Sequence, residues 1–139
     1  IKSNSTAEVY GNILALGHAY GILVVGPDHA SSNTPVHIHH NRIVQSGQIG
    51  SGSYGGIDFA LDLSDGRSSA LVEENWVISP QTGLGIRVAN THDNITFANN
   101  YLVDCATPYT LGTGTGHTVI PSQAATTYDL IDFSCAGLL

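Results

Sequence analysis

The stretch Asn94-Ile95-Thr96-Phe97-Ala98-Asn99-Asn100-Tyr101-Leu102-Val103 decides how this chain folds. Ile95 and Phe97 alternate with polar residues, Asn99-Asn100 interrupts the run, and Leu102 resumes an apolar face. That pattern reads as two short strands joined by an asparagine corner rather than by a hairpin turn. Asparagine tolerates left-handed backbone, and its amide can bond a copy of itself in a neighbouring layer. The unit recurs at Val36-His37-Ile38-His39-His40-Asn41-Arg42-Ile43 and at Ala70-Leu71-Val72-Glu73-Glu74-Asn75-Trp76-Val77. A weaker copy is Ala7-Glu8-Val9-Tyr10-Gly11-Asn12-Ile13-Leu14.

The corner asparagines Asn12, Asn41, Asn75 and Asn100 lie 29, 34 and 25 residues apart. Such intervals suit a solenoid whose layers differ by loop insertions. A Gly-Ile pair follows each of the first three corners, at Gly21-Ile22, Gly56-Ile57 and Gly85-Ile86, and Thr110-Leu111 takes that place in the fourth layer. Each layer therefore reads strand, corner, strand, variable loop, glycine, strand. Three strands per turn with no helical period between them predict an all-β, right-handed parallel β-helix of four to five coils. At a layer spacing near 4.8 Å it is ~20–24 Å long.

Period-2 alternation assigns the faces. Ala7/Val36/Ala70/Ile95, Val9/Ile38/Val72/Phe97, Leu14/Ile43/Val77/Leu102 and Ile22/Ile57/Ile86/Leu111 are expected to stack inward in columns. Residues 26–35, 47–55 and 62–69 read as surface inserts rich in turn formers. After Gly112 the period fails: Gly112–Gly116 reads as a flexible loop, and Val119–Leu139 as an irregular last layer or cap. The single domain thus has regular coils over residues 7–111 and a loop and cap over 112–139.

The repeat resembles the pectin-lyase-like superfamily, in particular its generic right-handed β-helix-region members, over about Ala7 to Leu111. The resemblance is specific for fold and not for activity. It implies polysaccharide processing, by a lyase or a glycosidase. Aspartate clusters beside an arginine are how many β-helix lyases hold Ca²⁺ and remove a proton next to a uronate carboxylate.

Composition narrows the partners. A net charge of −7 with four basic residues argues against nucleic acid and anionic membrane. No stretch is long and apolar enough to span a bilayer, and no signal peptide is visible. Low lysine and Ser/Thr/Asn-rich turns read as a secreted or cell-surface protein. Asn4-Ser5-Thr6 and Asn94-Ile95-Thr96 match the glycosylation sequon, a frequent chance match. Methionine is absent, as expected of a processed chain or a piece of a longer solenoid. Residues 1–6 are too short and polar to cap a β-helix, so upstream coils or a stacked second chain are expected over Ala7, Val9, Leu14 and Ile22. Cys105 and Cys135 are expected to form a disulfide contributing about 3–4 kcal/mol, the alternative being two buried thiols.

Two constellations carry chemistry. Leu23, Asp58 and Arg87 are expected to form one outward column, with Arg87 neutralising a sugar carboxylate and Asp58 beside it. The loops bordering it add Asp62, Asp65 and Arg67 as substrate contacts, and His92 as an acid or base titrating near neutrality. The plainer reading is a surface ion pair of small energetic value. The second constellation is His37-x-His39, two residues on one strand face ~6.6 Å apart. Glu73 lies one coil above His39, with Tyr10 below it and Glu8 below His37. His37, His39 and Glu73 are the alternative metal set, one ligand short of the usual zinc site. No G-x-S-x-G motif is present, nor the Asp-Asp and G-H-G pattern of polygalacturonases. Beside the enzyme stand two other readings: a glycan-binding adhesin and a structural solenoid segment of a larger surface protein.

Overall fold

The computed structural model describes residues 7–25, 35–46, 54–60, 69–78, 80, 83–88 and 92–120. Within them the chain is a right-handed parallel β-helix of about four coils, with no helix. The strands in order are β1 (Ala7–Tyr10), β2 (Ile13–Ala15), β3 (Ile22–Val25), β4 (Val36–His39), β5 (Arg42–Val44), β6 (Ile57–Ala60), β7 (Ala70–Glu73), β8 (Trp76–Ile78), β9 (Leu84–Val88), β10 (Ile95–Ala98), β11 (Tyr101–Val103), β12 (Thr107–Thr110) and β13 (Thr118–Ile120). They stack into three parallel sheets ordered β1-β4-β7-β10-β13, β2-β5-β8-β11 and β3-β6-β9-β12. No helix among the described residues is long and apolar enough to cross a membrane.

The inward columns follow the alternation. Ala7 pairs with Val36, Val36 with Ala70 and Ala70 with Ile95; Val9, Ile38, Val72, Phe97 and Val119 stack alongside. Leu14, Ile43, Val77 and Leu102 form the next column. Ile38, Val72, Val77, Ile86 and Phe97 are fully buried, so each side chain meets its counterpart one coil away rather than water. Burial of this kind contributes roughly 1.5–3 kcal/mol per large side chain.

The fourth coil departs from the expected register. Tyr109, not Leu111, pairs with Ile86, and Leu111 is exposed. The cause is local: no insert separates the second strand of this coil from its third, so β12 begins at Thr107, with Pro108 opposite Gly85. The Gly112–Gly116 loop is tied down at Thr115. Asp93 Oδ1 accepts from Thr115 N at 2.7 Å, and Asn94 N donates to Thr115 O at 2.8 Å.

At the first corner the left-handed residue is the one before each asparagine. Gly11, His40, Glu74 and Asn99 have φ of 66°, 54°, 52° and 51°. The asparagines instead point inward as a ladder. Asn41 Nδ2 donates to Asn75 Oδ1 at 3.0 Å and to Val9 O at 2.8 Å; Asn75 Nδ2 donates to Asn100 Oδ1 at 3.0 Å and to Ile38 O at 2.9 Å. Asn12 joins from the first coil through Asn41 Oδ1 at 2.9 Å.

The glycine before each third strand has a steric reason. A Cβ at Gly21 would overlap the Ile43 side chain, and one at Gly56 the Val77 side chain. At Gly85 it would meet Pro108 O at 2.5 Å. The corner is that tight because the buried second-strand column closes onto it. Gly56→Ala is expected to cost about 1–3 kcal/mol through overpacking. A lowered urea midpoint with unchanged m-value checks this; an unchanged midpoint would show that the corner has room to relax.

Tyr10, Ile13 and Leu16 of the first coil are exposed at 61%, 69% and 62%. The residues expected to leave this end uncapped, 1–6, lie outside the described residues, as does Cys135. Cys105 carries a free thiol whose Sγ lies 3.5 Å from Val103 O. Burial first, and then Asp104, pushes that thiol up to about 11, so it is a poor nucleophile.

Candidate functional site

The outward residues of the first sheet form a continuous polar cluster. Period-2 geometry puts Glu8 and Tyr10 of β1, His37 and His39 of β4, and Glu73 of β7 on one face. In register, Glu8 is opposite His37 and His39 opposite Glu73. The short hydrogen bonds run diagonally instead: His39 Nε2 to Glu8 Oε1 at 2.9 Å, and His37 Nε2 to Glu73 Oε1 at 2.8 Å. His37 Nδ1 lies 3.8 Å from Glu8 Oε1. The two imidazoles stack with centroids 4.1 Å apart, and Tyr10 stacks on His39 at 5.2 Å and 4°. The expected grouping of His37, His39 and Glu73 is therefore rearranged, with Glu8 at the centre.

The cluster continues around the corner. His39 Nδ1 and His40 Nδ1 are 2.8 Å apart, and His40 Nε2 meets Glu74 Oε2 at 2.6 Å. His40 and Glu74 are the left-handed corner residues of successive coils, which turns their side chains off the first sheet and towards the second. There the residue after each corner asparagine makes an outward column of Ile13, Arg42, Trp76 and Tyr101. Trp76 and Tyr101 stack with centroids 4.4 Å apart at 16°, and Arg42 Cζ sits 5.6 Å from the Trp76 centroid. A groove of about 250 Å³ runs between the two faces, with His40 and Glu74 on one side and Ile13, Arg42 and Trp76 on the other.

This groove holds a guanidinium, the edge of an aromatic stack and a His–Glu pair within one opening. Arginine supplies a flat fork of donors suited to a carboxylate. The outer edge of the Trp76–Tyr101 stack offers apolar area to a ring-shaped ligand. None of Arg42, Trp76, Tyr101, His40 and Glu74 is in the expected site, although their common position beside the corner asparagines is readable from the repeat.

The expected Asp58–Arg87 column is in register but is not a solvent-facing groove. Asp58 is fully buried, and Arg87 grips it with two bonds, Nε to Oδ2 at 2.8 Å and Nη2 to Oδ1 at 3.0 Å. Gly55 N donates to Oδ2 at 3.2 Å. Burial raises the Asp58 carboxyl above the usual range, and the Arg87 and Gly55 bonds pull it back. Tyr20, edge-on to Tyr54, is near enough that burial and then Asp58's charge raise its phenol. His92 is also fully buried, edge-on to the core ring of Phe59 at 5.7 Å, and so faces the interior. The expected contacts Asp62, Asp65 and Arg67, with any Ca²⁺ they would hold, lie outside the described residues.

A family model described as "Disaggregatase related" matches residues 5–135, nearly the whole chain. Comparison with curated proteins and with solved structures gives no match.

Proposed function

The chain belongs to the disaggregatase-related family, and on that premise we propose that it binds and cuts an acidic polysaccharide in the corner groove. The observation that carries this reading is the Trp76–Tyr101 stack with Arg42 laid over Trp76 beside the His40–Glu74 pair. Cutting chains is one way to take apart a mass held together by polysaccharide, and this surface has the chemistry to hold such a chain. The edge of Trp76 that lines the groove packs against the sugar ring, and Arg42 neutralises the uronate carboxylate. Neutralisation acidifies the hydrogen on the adjacent carbon, and the His40–Glu74 pair removes it. The neighbouring glycosidic C–O bond opens as the C=C bond forms, and the departing oxygen takes back the proton.

The same reading places the protein outside the cell, secreted or at the surface, where such matrices lie. The low lysine content and polar turns support that placement.

The test is a panel of uronate and neutral polymers followed by unsaturated-product absorbance and calorimetric binding. Arg42→Ala is expected to weaken uronate binding 10- to 100-fold, since a charge-assisted hydrogen bond is worth about 1.5–3 kcal/mol. Trp76→Ala is expected to weaken uronate and neutral polymers alike, about tenfold. Arg42→Ala should move the melting temperature little, whereas Trp76→Ala should lower it modestly because it also removes the Tyr101 stack. Uronate affinity and turnover unchanged in both variants would end this reading. Binding without turnover in the unaltered chain would leave a glycan-binding module.

A further inference from the structure

We propose that Glu8, His37 and His39 form a site for a divalent transition metal, with zinc the ion their donor set suits best. The three side chains come from adjacent strands of one parallel ladder, so their Cα positions are fixed by backbone pairing. One ligand atom from each, a Glu8 carboxylate oxygen and one nitrogen from each imidazole, lies within 4.8 Å of the other two. A tetrahedral ion with bonds of about 2.0–2.1 Å needs its ligand atoms about 3.4 Å apart. His39 Nε2 and Glu8 Oε1 stand at 2.9 Å, and His37 Nδ1 and Glu8 Oε1 at 3.8 Å, on either side of that value.

The partners of the two rings favour a metal over a plain salt-bridge cluster. A metal-binding histidine normally has its second nitrogen engaged by a carboxylate or another acceptor, which fixes its tautomer and aim. His37 turns Nδ1 to the site while Nε2 is held by Glu73 at 2.8 Å. His39 turns Nε2 to the site while Nδ1 is held by His40 at 2.8 Å. Glu73 is thus an orienting residue and Glu8 the carboxylate ligand. Tyr10, flat against His39, fixes the ring from the side of the first coil. Three protein ligands leave one coordination position open, and Glu8 and His37 are exposed enough for an ion and a fourth ligand to reach them. The site is on the first-sheet face, adjoining the glycan groove through His40, and does not depend on that groove's function.

The experiment uses tag-free, chelator-treated protein titrated with zinc chloride by calorimetry and with cobalt(II) by visible absorption. One ion per chain and the intense bands of four-coordinate cobalt are expected. His37→Ala and His39→Gln should each weaken zinc at least 100-fold with the circular dichroism spectrum unchanged. Glu73→Gln should keep the stoichiometry and weaken zinc 10- to 100-fold, as loss of an orienting partner does. His18→Ala, at a histidine outside the cluster, should change nothing. Equal zinc affinity in the unaltered chain and a His37→Ala/His39→Ala double variant would overturn the proposal. So would a cobalt spectrum that stays that of the hydrated ion.

Discussion

Replacing Asn75 by alanine is expected to lower the unfolding free energy by about 3–5 kcal/mol, because it removes the middle of the buried corner ladder. Asn75 is fully buried. Its Oδ1 accepts from Asn41 N at 3.1 Å and from Asn41 Nδ2 at 3.0 Å. Its Nδ2 donates to Ile38 O and Glu73 O, both at 2.9 Å. Alanine would leave the Asn41 N–H and the Ile38 carbonyl without these partners in the interior, and each orphan costs about 1–3 kcal/mol. Asn12 stands at the exposed end of the same ladder, so Asn12→Ala should cost about 1 kcal/mol. Urea unfolding of both variants checks the gradient. Equal costs at the two positions would mean that the ladder is not what holds the coils in register.

Arg87→Ala is expected to destabilise by about 3–5 kcal/mol, because it strands the buried Asp58 carboxylate. An activity-only effect, as expected of a solvent-facing site, is the contrary outcome. The pH dependence has a definite sign. Burial already raises Asp58 above its ordinary range, and removing Arg87 takes away the largest opposing influence. A carboxyl whose folded pKa lies above its unfolded value contributes stability at low pH that is lost as pH rises through the folded value. The gap between Arg87→Ala and the unaltered chain should therefore widen from acid to neutral pH. The Asp58→Leu/Arg87→Met double variant should recover most of the loss, since no buried charge is left unpaired. Failure to recover would show that the pair also fixes local geometry.

The fold is legible because each element of the repeat is enforced twice, once along the chain and once between coils. Asn41, Asn75 and Asn100 mark the corners, and the apolar positions on either side of them can alternate in only one phase. The fourth coil escaped because Pro108 and the missing insert shift the strand start, a change that column spacing does not encode. The outward face of β4 was legible from period 2, and His37 and His39 do share it. The exchange of Glu8 for Glu73 as their closest central carboxylate was not, because a long side chain can bond diagonally across a register that only fixes Cα positions. Asp58 looked solvent-facing because its alternation is outward; its burial depends on the Gly55 backbone and on Arg87 one coil away. His92 follows the third strand without a periodic pattern, and nothing in its neighbours announces that it turns onto Phe59.

The Arg42–Trp76–Tyr101 column is also legible in the repeat. It sits one residue after each corner, in the same alignment that marks the ladder, whereas Asp58 beside Arg87 makes an opposite-charge pair that a single arginine among aromatics does not. Trp76 is the single tryptophan of the chain, so its emission reports on the groove and on nothing else. Titrating a soluble uronate oligosaccharide while following that emission shows whether sugar enters the groove. A saturable change in intensity is expected, which Arg42→Ala abolishes or shifts to at least tenfold higher concentration. Oligosaccharide bound by calorimetry with no change in Trp76 emission, or no binding at all, would contradict it.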